Sequence, residues 1–255
     1  MPVSGSSVSP PPAFRKLLTE PEASKNSTLQ SFERIVPQLE VLAARRDSID
    51  VVLDVGCNGG GFAAALGEYL DATTVYGIDV DQEMRERAAE RGLTTFGTDV
   101  ESEPIPLEDD SVDLVVSFGL IEHLRYCDNL FAETARILRD GWFWVATPNL
   151  GSWINRVALL TGHQPRNVEL SGERAVGLLP VYKPKPVDHV HAPTYKALLE
   201  LLEHYGFDPV ETAALTPYQR SRFDALLDRL FSVRTAWARR VSVLARQSPD
   251  RPSRS

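Results

Sequence analysis

The sequence is poor in cysteine, in long apolar runs and in lysine. Its 255 residues include two cysteines, Cys57 and Cys127, which are too few for a disulfide framework and stand in no metal-binding spacing. No apolar run approaches the roughly 18 residues that a membrane-spanning helix requires. The first residues lack the apolar segment of a secretory signal. These absences disfavour a disulfide-stapled or membrane-spanning protein, and we expect a cytoplasmic one.

Charge is unevenly distributed along the chain. The net charge is −8, and only five of the 27 basic residues are lysines. Residues 217–255 contain nine arginines and three aspartates, so they carry +6 and the rest of the chain carries −14. Proteins that bind nucleic acid usually present a basic face. We therefore expect no nucleic-acid partner.

The most informative stretch is residues 51–62. Val51 to Val55 predicts a buried strand, and a glycine-dense turn then leads into a helix that begins at Phe62. Such a turn lets the backbone approach a ligand closely and leaves N–H groups at the helix start facing it. A second predicted strand ends at Asp79, 25 residues after Asp54. In nucleotide-binding α/β units, an acid in that position binds ribose hydroxyls.

The glycines distinguish between two cofactor patterns. A nicotinamide dinucleotide site requires G-x-G-x-x-G, whereas this loop reads Asp54-x-Gly56-x-Asn58-x-Gly60. That order resembles the D-x-G-x-G-x-G signature of class I S-adenosylmethionine (SAM) methyltransferases, with asparagine in place of the middle glycine. Asparagine is the non-glycine residue that most readily adopts positive φ. A nicotinamide-dependent oxidoreductase therefore remains the disfavoured alternative.

Two later segments strengthen the resemblance. Residues 111–124 resemble the fourth strand of these enzymes, followed by the Glu-His pair that leads into the next helix. Residues 139–149 resemble the fifth strand, with Trp142 where the family usually has a second glycine. Because three motifs occur in the correct order, the chain is identified as a member of the class I SAM-dependent methyltransferase family, of the small-molecule or ubiquinone type. The resemblance covers residues 50–150 and extends more weakly to residue 246.

The family resemblance implies a fold and a domain plan. We expect a Rossmann-like, doubly wound α/β sheet of seven strands, mostly parallel, with an antiparallel last strand. Residues 13–246 form the methyltransferase domain, in which residues 150–190 cover the acceptor and residues 217–236 form a helical excursion before the last strand. Residues 1–12 are expected to be a disordered tail and residues 247–255 a polar tail.

The resemblance also implies SAM as the cofactor. Asp79 would bind the ribose, and Asp99, after the third strand, would accept the adenine amino proton; a lone loop acid of this kind is otherwise solvated. The positions that match the cofactor-binding segments of the family are Asp54, Gly56, Cys57, Asn58, Gly60, Asp79, Val80, Asp99, Val100, Ser117 and Phe118.

Three histidines are candidate catalytic bases. Methyl transfer from a sulfonium requires a base only when the acceptor loses a proton, and histidine suits that task because its pKa lies near neutrality. His123 follows strand four, at the edge where ligands bind in such sheets; the alternative is a helix-start residue bonded to the backbone. His189 and His191, two residues apart in an extended segment, would point the same way and flank the acceptor.

Candidate substrate residues are Glu122, Trp153 and Arg156, the last of which either reaches an anionic acceptor or is solvated. No metal is expected, since two histidines lack an evident third ligand nearby. Some ubiquinone-type O-methyltransferases bind a divalent ion at the Glu-His segment, so that alternative stays open.

The sequence therefore predicts a SAM-dependent methyltransferase that acts on a small-molecule, sugar or lipid-linked acceptor. A non-catalytic SAM-binding regulatory module is the alternative. The apolar stripe of residues 221–231 is expected to pack on the sheet or on a second subunit, with docking on an anionic membrane surface as the alternative. Neither the methylated atom nor the oligomeric state follows from the sequence.

Overall fold

A computed structural model describes residues 10–20, 28–179, 189–217 and 222–249, apart from the side chains of 222–224. The predicted tails lie largely outside these ranges, as do residues 180–188 of the predicted acceptor cover. The described helices are α1 (Pro12–Thr19), α2 (Phe32–Ala43), α3 (Gly61–Leu70), α4 (Gln82–Glu90), α5 (Asp128–Ile137), α6 (Trp153–Leu160), α7 (Tyr195–His204) and α8 (Arg222–Phe231). The strands are β1 (Val51–Val55), β2 (Thr74–Ile78), β3 (Thr94–Phe96), β4 (Val112–Phe118), β5 (Leu138–Pro148), β6 (Phe207–Leu215) and β7 (Arg240–Gln247).

The seven strands form one sheet in the order β3-β2-β1-β4-β5-β7-β6. Strands β1 to β5 pair in parallel, and β7 inserts antiparallel between β5 and β6. The predicted fold class, including the antiparallel last strand, is confirmed. The near-continuous apolar runs of β1 and β4 agree with their place at the centre of a sheet that is covered on both faces.

Side chains alternate between the two faces of the sheet. Along β4, Leu114 and Val116 enter the core beneath α1, α2 and α3, whereas Val115 enters the core beneath α5 and α7. Trp142 lies buried on the first face with the guanidinium of Arg246 5.5 Å from its ring. The tryptophan that replaces the family glycine is therefore a core residue capped by a cation.

The strand order reverses between β1 and β4, because the chain moves from β1 toward β2 and β3 but from β4 toward β5. In such sheets ligands bind at this switch point, outside the carboxyl ends of the strands. The loops that leave β1, β2, β4 and β5 all begin at that edge. The candidate site is therefore built from residues that follow Val55, Ile78, Phe118 and Pro148.

Two insertions lie beyond the same edge. Helix α6 follows β5 directly, and α8 with a short 3₁₀ turn at Thr235–Trp237 lies between β6 and β7. We call α6, α8 and this turn the lid. Within the described ranges, no helix combines the length and the apolar character that crossing a bilayer would require.

Candidate active site

In the loop after β1, every second residue from Gly56 to Gly60 has a left-handed backbone conformation. Gly56, Asn58 and Gly60 have φ values of 79°, 49° and 72°. A Cβ on Gly60 would lie 2.8 Å from the Cβ of Ala88 and 2.9 Å from its Cα, so this glycine is required both by its conformation and by the approach of α4. Asn58 occupies the middle left-handed position, which explains physically why asparagine replaces glycine there.

Asp79 holds this loop in place. Its Oδ2 accepts a hydrogen bond from the backbone N–H of Asn58 at 2.9 Å, and its Oδ1 accepts one from Asp81 at 3.0 Å. An ionised carboxylate has about four acceptor positions. The two internal bonds leave acceptor capacity for the two hydroxyls of a ribose, so the residue fits the predicted cofactor contact.

Asp54 is a buried carboxyl at the end of β1. Burial, followed by repulsion from Asp79, raises its pKa to about 7. Among the described residues it has no salt-bridge partner, and a buried carboxylate is stabilised by a neighbouring positive charge. Its environment therefore favours a cationic ligand group beside the glycine loop.

The carboxylate of Asp99, unlike those of Asp54 and Asp79, is hydrogen-bonded within the turn that follows β3. Its Oδ1 accepts from the backbone N–H of Glu101 at 3.0 Å, and its Oδ2 accepts from the hydroxyl of Ser102 at 2.9 Å. These bonds shape the turn after β3, and the neighbouring Val100 enters the core. Asp99 therefore stabilises this turn, and its contact with adenine stays a prediction.

The remaining predicted cofactor residues differ in exposure. Ser117 is fully buried at the end of β4, and its Oγ has no hydrogen-bond partner in the described part of the chain. Phe118 packs against Phe62 and Trp144, with ring centroids 4.9 and 5.0 Å away, so it belongs to the core. Val80 is largely exposed, whereas Cys57 is buried and burial raises the pKa of its thiol.

Beyond β4 the fold brings together Glu122, His123 and His189. One potential ligand atom from each lies within 4.8 Å of the others, and the two imidazole rings are 4.8 Å apart. The sequence offered no third ligand near two histidines, because Glu122 and His189 are distant in the chain. A metal at this cluster would share the carboxylate with existing partners, whose three hydrogen bonds take up most of its about four acceptor positions.

Those partners make Glu122 an internal anchor. Its Oε1 accepts from the guanidinium of Arg240 at 3.2 and 3.3 Å, and its Oε2 accepts from the hydroxyl of Thr147 at 3.2 Å. Its backbone carbonyl accepts from the N–H of Val190 at 3.0 Å. Glu122, predicted to contact substrate, thus ties β5, β7 and the segment at His189 together, with both carboxylate oxygens bonded inside the protein.

The two predicted acceptor-flanking histidines occupy different environments. His189 is buried beside His123, and burial lowers its pKa although the charge of Glu122 opposes that shift. Its Nδ1 lies 3.3 Å from Nδ2 of Asn167. His191 is half-buried and lies outside the cluster. His123 is the exposed member of the cluster.

The lid is fastened by a buried acid that sequence reasoning missed. Asp228 on α8 accepts from Nε1 of Trp153 at 2.8 Å and from Nε of Arg239 at 2.7 Å. Trp153, Phe231 and Trp237 stack in sequence with centroids 5.6 Å apart, and Arg156 lies 4.7 Å over Trp237. Trp153, predicted to contact substrate, is therefore buried, while Arg156, on α6, is exposed to solvent.

Adjacent arginines connect the lid to the histidine cluster. Arg239 pairs with Asp228 in the lid, and Arg240 pairs with Glu122 beside the histidines. The only local signal for these residues was the Arg-Arg pair that opens the last strand. Nothing near it in sequence identifies the acids that it pairs with.

The sheet order, the left-handed glycine loop and the acid after β2 together define a class I methyltransferase. Residues 53–145 match a family model described as a methyltransferase domain. This match, together with the relatives below, supports a class I SAM-dependent methyltransferase with S-adenosylmethionine as its cofactor. This supports the methyltransferase prediction over the nicotinamide-dependent oxidoreductase.

Known proteins resemble the chain at moderate identity. A ubiquinone/menaquinone biosynthesis C-methyltransferase of Cupriavidus necator is 28% identical over 171 residues, covering 65% of this chain and 70% of the relative. A probable SAM-dependent methyltransferase of Mycolicibacterium smegmatis is 34% identical over 128 residues, covering 50% of this chain and 48% of the relative. The chain spans about half the length of several such relatives.

A solved structure agrees with the fold. A SAM-dependent methyltransferase from Mesorhizobium loti superposes with a TM-score of 0.54 at 20% identity, covering 84% of this chain and 98% of that one. At this identity the likeness concerns the architecture alone.

Proposed function

We propose that this protein transfers the methyl group of SAM to a small-molecule, sugar or lipid-linked acceptor at the carboxyl edge of the sheet. The observation that carries the proposal is the left-handed loop after β1, held by Asp79 and bordered by the buried carboxyl of Asp54. The C. necator relative is named for quinone biosynthesis, which is compatible with an apolar acceptor.

Each loop residue would serve one part of the cofactor. The glycine loop cradles the methionine portion, and Asp54 pairs with its ammonium group. Asp79 accepts from the ribose hydroxyls, while Asp99 is the candidate for the adenine amino group. When bound, SAM supplies an activated methyl group on a sulfonium sulfur, so the protein mainly aligns the acceptor and excludes water. Such positioning contributes about 7–11 kcal/mol in favourable cases.

His123 is the proposed base for an acceptor that must lose a proton. An imidazole nitrogen of His123 would take the proton of an acceptor hydroxyl as its oxygen attacks, and bound SAM would supply the methyl group. His189 lies beside it with a lowered pKa, so it stays neutral near pH 7 and adds no positive charge that would hinder proton uptake. Glu122 and Arg240 are positioning residues that fix this segment.

Production of S-adenosylhomocysteine tests the proposal. The protein is incubated with SAM and, separately, with a quinol, a hexose or a lipid-linked sugar, and the product is quantified by chromatography. SAM-dependent turnover with one class identifies the acceptor. Binding of SAM without turnover of any class would favour the non-catalytic module and contradict the proposal.

A further inference from the structure

Both lid helices expose apolar side chains to solvent. On α6 these are Val157, Leu159 and Leu160, the last with 86% of its surface exposed. On α8 and just beyond it they are Leu226, Leu230 and Val233, the last 83% exposed. We call these six residues the lid surface.

The orientation of α8 makes this exposure a fixed feature. Positions 226 and 230 share one face of α8, since they are four residues apart, and Val233 is exposed in the turn that follows the helix. The opposite face carries Leu227, Asp228 and Phe231, which pack against the Trp153 region. Turning the leucines inward would expose Asp228 and break its bonds to Trp153 and Arg239. The leucines therefore stay outside.

The surroundings of the lid surface are basic although the protein is acidic. Residues 150–168 and residues 229–249 contain no aspartate or glutamate. Arg156, Arg229 and Arg234 are exposed there. Asp228, on α8, is buried in its pair with Arg239. An apolar face rimmed by arginine thus lies on a chain of net charge −8.

We propose that the lid surface docks on an anionic lipid bilayer and so presents the active site to a lipid-linked acceptor. Exposed leucines enter the boundary between head groups and acyl chains, while the arginines pair with anionic head groups. In any other orientation, the acidic remainder of the protein would face the anionic bilayer and be repelled by it. The choice of a lipid-linked acceptor rests on the proposed methyltransferase function; the docking itself does not.

Charge also favours a bilayer over a second copy of this chain. A two-fold dimer brings the same patch of both subunits together. It would bring the basic rims of both subunits together, with no exposed acid in residues 150–168 or 229–249 to neutralise them. An anionic bilayer supplies the neutralising charge.

Vesicle co-sedimentation tests this docking. The full chain is mixed with phosphatidylcholine vesicles containing 0 or about 30% phosphatidylglycerol, at about 0.05 and 0.5 M salt, because screening shortens charge attraction at the higher salt. We expect binding only with the anionic lipid, weakened at high salt. Leu226→Ser/Leu230→Ser should lower the partition coefficient at least about tenfold, since two buried leucines are lost. Arg229→Glu/Arg234→Glu should lower it similarly.

Matched controls are Val210→Ser on β6 and Arg34→Glu on α2, both exposed positions outside the lid, which should bind as the unaltered protein does. Absence of binding to anionic vesicles at low salt would overturn the proposal. So would sedimentation showing a dimer that Leu226→Ser/Leu230→Ser converts to a monomer without any vesicle binding. SAM is also titrated in the absence of lipid. This titration tests the cofactor site by itself, so failure of the docking is distinguished from failure of the methyltransferase function.

Discussion

Neutralising Glu122 should destabilise the protein strongly. The side chain of Glu122 is 2% exposed and that of Arg240 is 10% exposed, with 3.2 Å between Oε1 and Nη2. Removing one charge from a buried pair leaves the other uncompensated and costs about 3–5 kcal/mol. Glu122→Gln keeps the shape and one acceptor for Thr147, so we expect the lower end, about 3 kcal/mol, in the free energy of unfolding.

Urea denaturation measures this effect. The double variant Glu122→Gln/Arg240→Met removes both charges and should recover at least about half of the loss, which gives a coupling energy of 1 kcal/mol or more. As a control, Glu200→Gln breaks the exposed pair with Lys196 and should cost at most about 0.5 kcal/mol. Equal midpoints for Glu122→Gln and the unaltered protein, or strictly additive single variants, would refute the buried anchor.

Loss of the Glu122 charge also has an electrostatic consequence at His189. That charge raises the pKa of His189 against the dominant effect of burial. Glu122→Gln should therefore lower the pKa of His189 further, a change that an imidazole NMR titration can follow.

The remaining predictions concern the base and the glycine loop. His123→Ala should reduce kcat at least about 10²-fold with SAM affinity nearly unchanged; a parallel loss of stability in steady-state and melting assays would instead indicate a structural role. Asp54 has a folded-state pKa near 7 against a reference value of 3.8, so stability should fall as pH rises through that window. Asp54→Asn should flatten this slope in melting curves; an unchanged slope would count against the buried carboxyl. Gly60→Ala should cost about 1–2 kcal/mol for its left-handed φ plus the collision with Ala88, and therefore more than Gly92→Ala, whose added methyl group meets no neighbour within 4 Å. Equal losses in chemical denaturation would contradict the close approach of α4.

Local signals predicted the left-handed backbone of the glycine loop. The glycine spacing and the acid after β2 depend on residues close in sequence, and their backbone requirements are explicit in Gly56, Asn58 and Gly60. The sheet order followed from the family resemblance of successive βα units. Trp142 was noted as a departure, but its packing beneath Arg246 depends on β7 lying beside β5.

The acceptor end could not be read from the sequence in the same way. The partners Glu122 and Arg240 are 118 positions apart, and Asp228 meets Trp153 across 75. These pairs form only because β7 inserts between β5 and β6 and carries the adjacent arginines to the carboxyl edge. The apolar stripe of α8 was expected to pack on the sheet or on a second subunit. Leu227 and Phe231 pack on the Trp153 region, whereas Asp228 turns Leu226 and Leu230 outward.

Titration calorimetry with SAM is the most direct test of the central claim. The unaltered protein should bind SAM and not NAD, and Asp79→Ala should weaken SAM binding about 10–100-fold, because a lost hydrogen bond to a charged group is worth about 1.5–3 kcal/mol. Asp47→Ala, which removes an exposed acid away from the loop, should bind as the unaltered protein does. Unchanged SAM affinity in a folded Asp79→Ala protein would contradict the assignment of the glycine loop and Asp79 as the cofactor site.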